Sequence, residues 1–446
     1  MFKLKEERDY VALEKKYVFG TWRYEYTWKP LLIEEGEGCY FKDFKGKRYL
    51  DFSSQLMCSN LGHRSPKVLE ALSEQANKLC YAAPSFATKP AAKLGEKLAD
   101  ITPGDLQKSF FSLGGAEANE AAIKIARLYT GKTKLISRYR SYHGATSGAI
   151  ALTGDPRTHY AIGMPGIVRA PDCYCYRCPL GKEYPGCGIS CVEYIDEIIR
   201  MEGEQSVAGV VIEPIVGSNG ILVPPDEYMP RLREICNERD VLLIADEVMT
   251  GFGRTGKWFC MEHWDVVPDL MSMAKGLTGA FIPLGATIAR KKIAEFFDQE
   301  DNLFCHGHTY AMHPLCCAVA LAAIQEYIDK NLIENASKMG AVLGKRLNEL
   351  KEDHASVGDV RGKGLFWGVE LVKNRKTKEP FVTRREKFQP NTLKKISVAA
   401  MERGVYIVNV INTLIIAPPL IVKEEQIDKG IQVLDKVIEI ADKECK

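Results

Sequence analysis

The stretch from Val241 to Lys275 constrains the fold of this chain more than any other part of the sequence. Residues 241–245 (VLLIA) form an unbroken apolar run, the pattern of a strand buried on both faces of a largely parallel sheet, and the run stops at Asp246. In open α/β sheets, ligands bind in the crevice beyond the carboxyl ends of the strands. The sequence therefore predicts that Asp246 lies at a ligand-binding edge of such a sheet.

A second, mostly apolar run over residues 268–274 ends at Lys275, and Gly276 follows it. Taken alone, Lys275 could be a helix-end lysine in water and Asp246 a strand-end cap, because most such residues are solvated. A desolvated lysine amine, however, has a lowered pKa, attacks carbonyl carbons and can hold pyridoxal phosphate as a Schiff base. A nearby aspartate would keep the pyridinium nitrogen of that cofactor protonated.

Three segments around this pair form one long motif: DEV at residues 246–248, TGFGRTG at 250–256, and PD at 268–269 continuing to AKG at 274–276. The motif resembles the signature of the class III pyridoxal-phosphate aminotransferases, and the likeness covers the chain from about Pro30 to the C terminus. The resemblance implies the α/β fold of the fold type I pyridoxal-phosphate-dependent transferases, with a mostly parallel central sheet and helices on both faces. It also implies an α+β small domain formed by the N- and C-terminal segments.

Periodicity along the chain predicts where these parts begin and end. Residues 1–30 are predicted to form an aromatic-rich helix, and residues 39–52 a β-hairpin around the turn Lys45-Gly46-Lys47. Beyond about residue 325, amphipathic helices (332–353, 392–404, 423–443) alternate with short strands (366–371, 405–409, 413–417). We therefore expect residues 1–60 to be the N-terminal part of the small domain, residues 61–325 the large cofactor-binding domain, and residues 326–446 the C-terminal small domain.

Charge and composition favour a small-molecule partner. Sixty basic and 58 acidic side chains give a net charge of +2, which argues against binding to nucleic acid or to an anionic membrane surface. No apolar run is long enough to span a membrane, and the N terminus lacks the apolar core of a signal peptide. We expect a cytoplasmic protein, in which the 14 cysteines are thiols and not a disulfide framework.

A glycine turn, Gly114-Gly115, precedes a helix predicted to run to about residue 128. A helix N terminus offers free N–H groups and the positive end of the helix dipole, which suit a phosphate. A glycine pair alone is weak evidence, since most such pairs are only turns. The resemblance adds that the amides of Gly115 and Ala116 hold the cofactor phosphate, with Gly114 in place of the serine usual in the family.

The resemblance also assigns the other site residues. Lys275 and Asp246 are the catalytic pair. The remaining cofactor contacts are Tyr142 and Val248 on the two faces of the ring, His143 and Glu213 beside it, and Thr309 on the phosphate of the neighbouring subunit. The substrate contacts are Met57, Tyr81, Phe86 reaching across the subunit interface, and Arg361 gripping the substrate carboxylate. These roles imply a homodimer or tetramer with active sites at the subunit interface.

The donor is predicted from departures from the family pattern. Relatives that use 4-aminobutyrate or ornithine carry a glutamate where this chain has Ser218, and many members carry a glutamine where it has Met249. These departures resemble the ω-amino-acid and taurine branch, so taurine is the first choice, with β-alanine or 4-aminobutyrate next. The acceptor 2-oxo acid, pyruvate or 2-oxoglutarate, stays open.

Two other classes of function stay open. The same scaffold supports racemases and aminomutases, which use the lysine but need no second substrate. A non-catalytic metal-binding protein would account for the cysteines at 173, 175, 178, 187 and 191, which are numerous enough for a structural zinc. Their spacing is not that of regular C-x2-C pairs, so we expect reduced, packed thiols and no metal.

Overall fold

The computed structural model describes residues 7–161, 163–383 and 391–445. Its helices are α1 (Glu7–Tyr17), α2 (Ser54–Met57), α3 (Pro66–Lys78), α4 (Lys89–Ile101), α5 (Gly115–Thr130), α6 (Ser147–Leu152), α7 (Ser190–Glu202), α8 (Tyr228–Glu238), α9 (Lys291–Phe297), α10 (Pro314–Asp329), α11 (Leu332–Asp353), α12 (Thr392–Glu402) and α13 (Glu424–Asp442). Its strands are β1 (Ile33–Glu37), β2 (Tyr40–Asp43), β3 (Arg48–Asp51), β4 (Leu106–Ser112), β5 (Lys134–Arg138), β6 (Ile167–Ala170), β7 (Val207–Ile212), β8 (Leu242–Asp246), β9 (Leu270–Met273), β10 (Gly285–Arg290), β11 (Val357–Lys363), β12 (Phe366–Asn374), β13 (Glu379–Pro380), β14 (Val405–Tyr406), β15 (Val408–Val410) and β16 (Thr413–Ile416).

The central sheet has the strand order β4-β10-β9-β8-β7-β5-β6. Neighbouring strands are parallel from β9 to β6, whereas β10 runs antiparallel to both β9 and β4. The predicted mostly parallel α/β sheet is thereby confirmed. Strands β7 and β8 are buried along their whole length, as their continuous apolar runs indicate.

Helices cover both faces of this sheet, and the side chains of β8 show how. Leu242 and Ile244 pack into one core cluster with residues of α5, such as Ile123. Leu243 and Ala245, which point to the opposite face, pack into another cluster with residues of α7 and α8. A strand covered on both sides exposes only its end to ligands.

The N- and C-terminal segments share a second sheet. Strand order β1-β2-β3-β14 joins the hairpin predicted over residues 39–52 to the C-terminal part of the chain, because β14 pairs with β3 in parallel. A third sheet contains β11, β12, β16 and β15, with β13 paired to β12. The pairing of β3 with β14 supports the proposed division in which residues 1–60 and 326–446 build one domain.

Arg254, in the proposed large domain, forms hydrogen bonds with both the N-terminal and the C-terminal segments. Its fully buried guanidinium donates hydrogen bonds to the carbonyls of Leu365 and Pro418 in the C-terminal segment. It also donates to Ser54 Oγ and Asn60 Oδ1 in the N-terminal segment. Burial lowers the pKa of Arg254 to about 10, so the group remains charged at neutral pH.

The predicted helix over residues 1–30 is shorter in the structure. Helix α1 ends at Tyr17, only a short 3-10 turn follows at Glu25–Thr27, and residues 1–6 lie outside the described residues. Trp22 has a φ of 52°, a left-handed conformation that a continuing α-helix cannot contain. Throughout the described ranges, no helix is long and apolar enough to cross a membrane.

Candidate active site

Asp246 and Lys275 emerge at the same edge of the central sheet. Strands β8 and β9 are parallel neighbours, and Asp246 lies opposite Ser272 in their register. Lys275 follows β9 directly, adopts a φ of 44°, and has its side chain inside the protein. Burial lowers the pKa of Lys275, while the carboxylates of Asp246 and Glu213 partly oppose that shift.

The Asp246 carboxylate is fixed by three donors. Asn119 Nδ2 lies 2.8 Å and His143 Nδ1 2.7 Å from Oδ2 of Asp246. The Val248 amide donates to Oδ1 at 3.0 Å. Asn119 comes four residues after Gly115 on α5, so both residues face the same side of that helix. The sequence interpretation missed Asn119, although this helical spacing could have indicated it.

Glu213 follows β7 and holds the loop that carries Tyr142. Its carboxylate accepts hydrogen bonds from the amides of Tyr142 at 2.9 Å and Gly217 at 2.8 Å. Burial raises the pKa of Glu213, and the negative charge of Asp246 raises it further. The carboxylate therefore supports the site wall through two backbone contacts.

The glycine turn lies close to the side chain of Val248. The first hydrogen bond of α5 runs from the Ala118 amide to the Gly114 carbonyl, so the amides of Gly115 and Ala116 have no acceptor within the helix. A Cβ atom on Gly115 would lie 2.8 Å from a methyl carbon of Val248. Gly115 thus lets the turn approach Val248 as no larger residue could.

The ring of Tyr142 contacts the guanidinium of Arg157 and the indole of Trp22. The Arg157 guanidinium lies 3.7 Å from the centre of the Tyr142 ring, and Trp22 meets that ring edge-on at 6.5 Å. Arg157 is itself anchored by Asp155, whose Oδ2 accepts from Nε at 2.8 Å. The sequence interpretation missed Arg157, since nothing local marks it as part of the site.

These groups enclose a cavity of about 440 Å³, here called the first cavity. The predicted residues that line it are Gly115, Ala116, Tyr142, His143, Glu213, Asp246, Val248 and Lys275. Met249 and the unpredicted segment 280–284 are also part of the wall. This volume lies within the range of small-molecule sites, roughly 300–1,000 Å³.

The residues of the first cavity suit pyridoxal phosphate. Its pyridine nitrogen, phosphate and carbonyl carbon call for a carboxylate, free amides and an amine, and Asp246, the Gly115 turn and Lys275 offer them. The buried atoms His143 Nε2 and Asn119 Oδ1 have no hydrogen-bond partner among the residues that the structure describes. Unpaired polar atoms beside a cavity indicate that the site is built around a polar ligand.

Other predicted residues lie outside the first cavity. Met57 is buried, whereas Phe86 and Thr309 are exposed and Tyr81 is partly exposed. The Tyr81 hydroxyl donates to the Thr309 carbonyl at 2.9 Å. Within this single chain, the structure therefore does not bring these side chains to the cavity.

The position and partners of the Arg361 side chain also differ from those predicted. It lies on β11 with Nη1 2.7 Å from Asp359 and 2.8 Å from Glu370, and its other nitrogens donate to the carbonyls of Gly220 and Ile221. It is not among the residues that line the first cavity. The expectation of a guanidinium free to grip a substrate carboxylate is not met, because two carboxylates and two carbonyls already occupy it.

The cysteines between residues 173 and 191 are free thiols around a small cavity. Cys173 is buried with its Sγ 3.1 Å from Arg138 Nη1. In the part of the chain that the structure describes, no group of three or more His, Cys, Asp or Glu side chains is arranged to hold a metal ion. The absence of a resident metal stays a prediction.

Comparison with known proteins places this site in a family. The family described as aminotransferase class-III matches residues 23–438. A leucine/methionine racemase from Thermococcus litoralis is 38% identical over 421 residues, covering 92% of this chain and 91% of the relative. A taurine–pyruvate aminotransferase from Bilophila wadsworthia is 35% identical and covers 97% of both chains. The crystal structure of taurine:2-oxoglutarate aminotransferase from Bifidobacterium kashiwanohense, in complex with pyridoxal phosphate and glutamate, has a TM-score of 0.93, 36% identity and 99% coverage of both chains. The chain therefore belongs to the class-III aminotransferases and is a pyridoxal-phosphate-dependent enzyme.

Proposed function

We propose that this enzyme transfers an amino group from an ω-amino acid with an anionic tail to a 2-oxo acid. Taurine is the first donor, followed by β-alanine or 4-aminobutyrate, and the acceptor is pyruvate or 2-oxoglutarate. The observation that carries the amino-transfer chemistry is the buried amine of Lys275, which follows β9 beside Asp246 at the end of β8. An amine with a lowered pKa is neutral, and hence nucleophilic, over more of the physiological pH range.

When bound, pyridoxal phosphate supplies an electrophilic carbonyl carbon and a conjugated ring that disperses negative charge from the substrate Cα. Lys275 would be the covalent anchor, and once the donor amine has displaced it, its neutral amine would serve as the general base and acid of the 1,3-proton shift that amino transfer requires. Asp246 is the proposed partner of the ring nitrogen, since within the described ranges its Oδ1 has only the Val248 amide as a donor. Tyr142 and Val248 are the proposed walls above and below the ring.

We propose that a second copy of the chain completes the site, in a homodimer or a tetramer. The amides of Gly115 and Ala116 would hold the phosphate together with Thr309 of the neighbouring subunit. The exposure of Thr309 and Phe86 supports this proposal, because residues that contact a neighbouring subunit are exposed in the isolated chain. Met57 and Tyr81 keep their proposed role as walls of the substrate path.

The donor proposal is supported by Ser218 and by the relatives. Ser218 is uncharged where relatives acting on 4-aminobutyrate or ornithine carry a glutamate, so no carboxylate from this position repels an anionic donor tail. Two relatives with 35% and 36% identity are named for taurine. A sulfonate offers three acceptor oxygens, which arginine and amide donors can satisfy together.

A half-reaction panel tests the donor. The cofactor-loaded enzyme is mixed with one amine and no 2-oxo acid, and the absorbance of the bound cofactor is followed over a single turnover. Taurine should react faster than α-alanine, ornithine and putrescine. A panel in which a diamine or an α-amino acid reacts clearly faster contradicts the donor proposal.

Amino-acid racemisation is the second candidate, because the leucine/methionine racemase is 38% identical to this chain. A racemase needs no acceptor, so it should convert L-leucine or L-methionine into the racemate without any 2-oxo acid. A transaminase should instead stop after one equivalent of donor until an acceptor is added. Chiral chromatography of the amino acid separates the two outcomes.

A further inference from the structure

The loop after β6 carries two cysteines in a C-x2-C arrangement, Cys175 and Cys178. Both are free thiols, and both line the small cavity that Cys173, Cys187 and Cys191 also line. Cys173 is buried, but Cys175 is exposed and Cys178 is partly buried. Core packing therefore does not explain the thiol of Cys175, and reagents in solution can reach it.

The backbone holds these two cysteines in a geometry that suits a disulfide. Residues Cys175–Arg177 form a 3-10 turn, and Cys178 follows directly with a φ of −56°, a value that a helical residue also has. Side chains three residues apart on a 3-10 helix lie above one another, with their Cα atoms about 6 Å apart. A disulfide joins residues whose Cα atoms are roughly 4.4–6.8 Å apart. The turn thus places both sulfurs on one side, at a separation that a disulfide can bridge.

Side chains of the C-terminal segment fix the conformation of this turn. The Tyr174 hydroxyl donates to the Glu370 carboxylate, and Arg177 Nε donates to the same carboxylate at 2.6 Å. Lys378 Nζ donates to the Tyr176 carbonyl at 2.8 Å. Two groups that are held in reacting geometry behave as though they were present at high concentration. The fixed turn therefore favours a bond between the two sulfurs.

We propose that Cys175 and Cys178 form a redox-modification site, at which a small-molecule disulfide such as glutathione disulfide oxidises the two thiols to one intramolecular disulfide. The site is separate from amino transfer, and the proposal does not depend on which donor the enzyme uses. A disulfide that forms only with such an oxidant is compatible with the free thiols of the structure. Transient disulfides of this kind serve catalytic or redox-sensing roles in proteins of reducing compartments.

The reaction is a thiol–disulfide exchange in two steps. Partial burial of its sulfur raises the pKa of Cys175 to about 11, with smaller contributions from neighbouring cysteines, so Cys175 is protonated at neutral pH. Because the thiolate is the nucleophile, the first attack is assigned to Cys178. The Cys178 thiol gives its proton to solvent, and its sulfur bonds to one sulfur of the reagent. The S–S bond of the reagent breaks, and the released half takes up a proton as a thiol.

Cys175 completes the exchange. Its thiol loses a proton to solvent, and its sulfur bonds to the Cys178 sulfur, which breaks the mixed disulfide and releases the second half of the reagent as a thiol. Two electrons and two protons have then passed from the cysteine pair to the reagent. The protein holds one new S–S bond, and the reagent has become two thiols.

Peptide mapping tests the pair, because trypsin cleaves after Arg177, between the two cysteines. The cofactor-loaded enzyme is equilibrated with glutathione disulfide, its remaining thiols are alkylated, and the digest is analysed by mass spectrometry without reduction. Peptide 170–177 should be linked to peptide 178–182, and dithiothreitol added before alkylation should remove the link. No link, or a link from 178–182 only to peptide 183–200, which contains Cys187 and Cys191, overturns the proposal.

Variants decide which cysteine of peptide 170–177 is used, since that peptide also contains Cys173. Cys175→Ser should abolish the link and leave one glutathione on peptide 178–182 as the trapped mixed disulfide. Cys187→Ser, a change in the same small cavity, should keep the link as in the parent enzyme. A link that survives in Cys175→Ser assigns the bond to Cys173 and overturns the pair. If Cys175→Ser does not fold, fragmentation of the linked peptides of the parent enzyme locates the bond without any variant.

Discussion

His143 Nδ1 lies 2.7 Å from Oδ2 of Asp246, and both side chains are almost completely withdrawn from solvent. Asn119 donates to the same oxygen, so Oδ2 is committed to the protein. Among the described residues, Oδ1 accepts a hydrogen bond only from the Val248 amide and keeps a lone pair for a ligand in the first cavity. The hydrogen bonds to the two oxygens fix the orientation of the carboxylate.

Asp246→Asn should keep the fold and slow the half-reaction by roughly a hundredfold or more. The amide is nearly isosteric, but a neutral group cannot stabilise the positive charge of a pyridinium nitrogen. Single-turnover absorbance measures the rate, and circular dichroism checks the fold. Asp240→Asn, at an exposed position two residues before β8, is the matched control. An unchanged rate in Asp246→Asn would show that Asp246 is only a strand-end cap.

Lys275→Ala should still bind pyridoxal phosphate but lose turnover by roughly a thousandfold or more. The proposed contacts to the phosphate and the ring nitrogen remain, whereas the group that moves the proton at the substrate carbon is gone. Equilibrium dialysis measures binding, and product formation measures turnover. Lys291→Ala removes an exposed lysine on α9 and serves as the control. Multiple turnovers by Lys275→Ala would rule out its catalytic role.

Lys275→Met should stabilise the cofactor-free protein, and more so at pH 7 than at pH 10. Burial lowers the pKa of Lys275, so over a range below its ordinary value of 10.5 the unfolded chain holds a proton that the folded chain has lost. In that range the free energy of unfolding of the parent protein increases with pH, so the stability gained by Lys275→Met becomes smaller. Urea unfolding at the two pH values gives the difference. An equal increase in the free energy of unfolding at both pH values would contradict a lowered pKa of Lys275.

Glu247 should make the folded state more stable at pH 5 than at pH 8. Burial raises the pKa of Glu247 from an ordinary value of 4.5 to about 7, against hydrogen bonds from Thr250 and the Met261 amide. The folded chain therefore binds this proton more tightly, and the resulting stability is complete below pH 4.5 and lost as the pH rises through about 7. Glu247→Gln should remove about 3 kcal/mol of this pH dependence. Urea unfolding at several pH values measures this dependence. The control variant Glu238→Gln, on the exposed side of α8, should retain the pH dependence of the parent protein. A free energy of unfolding of the parent protein that is the same at pH 5 and pH 8 would refute the prediction.

Gly115→Ala should weaken binding of pyridoxal phosphate, because the new methyl group would push against the two Val248 methyl groups at 2.8 and 2.9 Å. In a Val248→Ala background the same change should cost less, since the space is then available. Fluorescence titration with the cofactor measures both differences. Gly95→Ala, on α4 with open space around it, is the control. Additive losses in the double variant would show that the contact with Val248 is unimportant.

Local patterns account for the parts of the site that could be predicted from the sequence. Asp246 and Lys275 each end an apolar run, and Gly115 begins a helix, so one-dimensional patterns place all three at an edge of the sheet. Arg157 has no comparable mark, and Asn119 has only its helical spacing of four residues from Gly115. They join the site only because α5 and the loop after α6 fold over the strand ends.

Arg361 shows a different limit. The resemblance implied its role, but its two carboxylate partners, Asp359 and Glu370, already occupy the guanidinium. Glu370 comes from the neighbouring strand β12, and the carbonyls of Gly220 and Ile221 come from a turn in the large domain. Such partners are set by tertiary packing, which a strand pattern does not contain.

The antiparallel position of β10 was likewise not predicted. β10 is a short and mostly apolar strand of residues 285–290. Periodicity in the sequence does not specify which neighbours such a strand pairs with. The same holds for the N-terminal segment. An aromatic-rich pattern predicted one helix, but the chain instead turns at Trp22 and places that side chain against Tyr142.

The pairing of β4 with β10 has a consequence for synthesis of the chain on the ribosome. In the part of the chain that the structure describes, the one partner of β4 in the central sheet is β10, which begins at Gly285, whereas β4 itself ends at Ser112. At about 5–20 residues per second, roughly 10–35 s pass between the emergence of the two strands. During that interval the edge of β4 that later pairs with β10 is unpaired and open to pairing with a wrong strand or another chain.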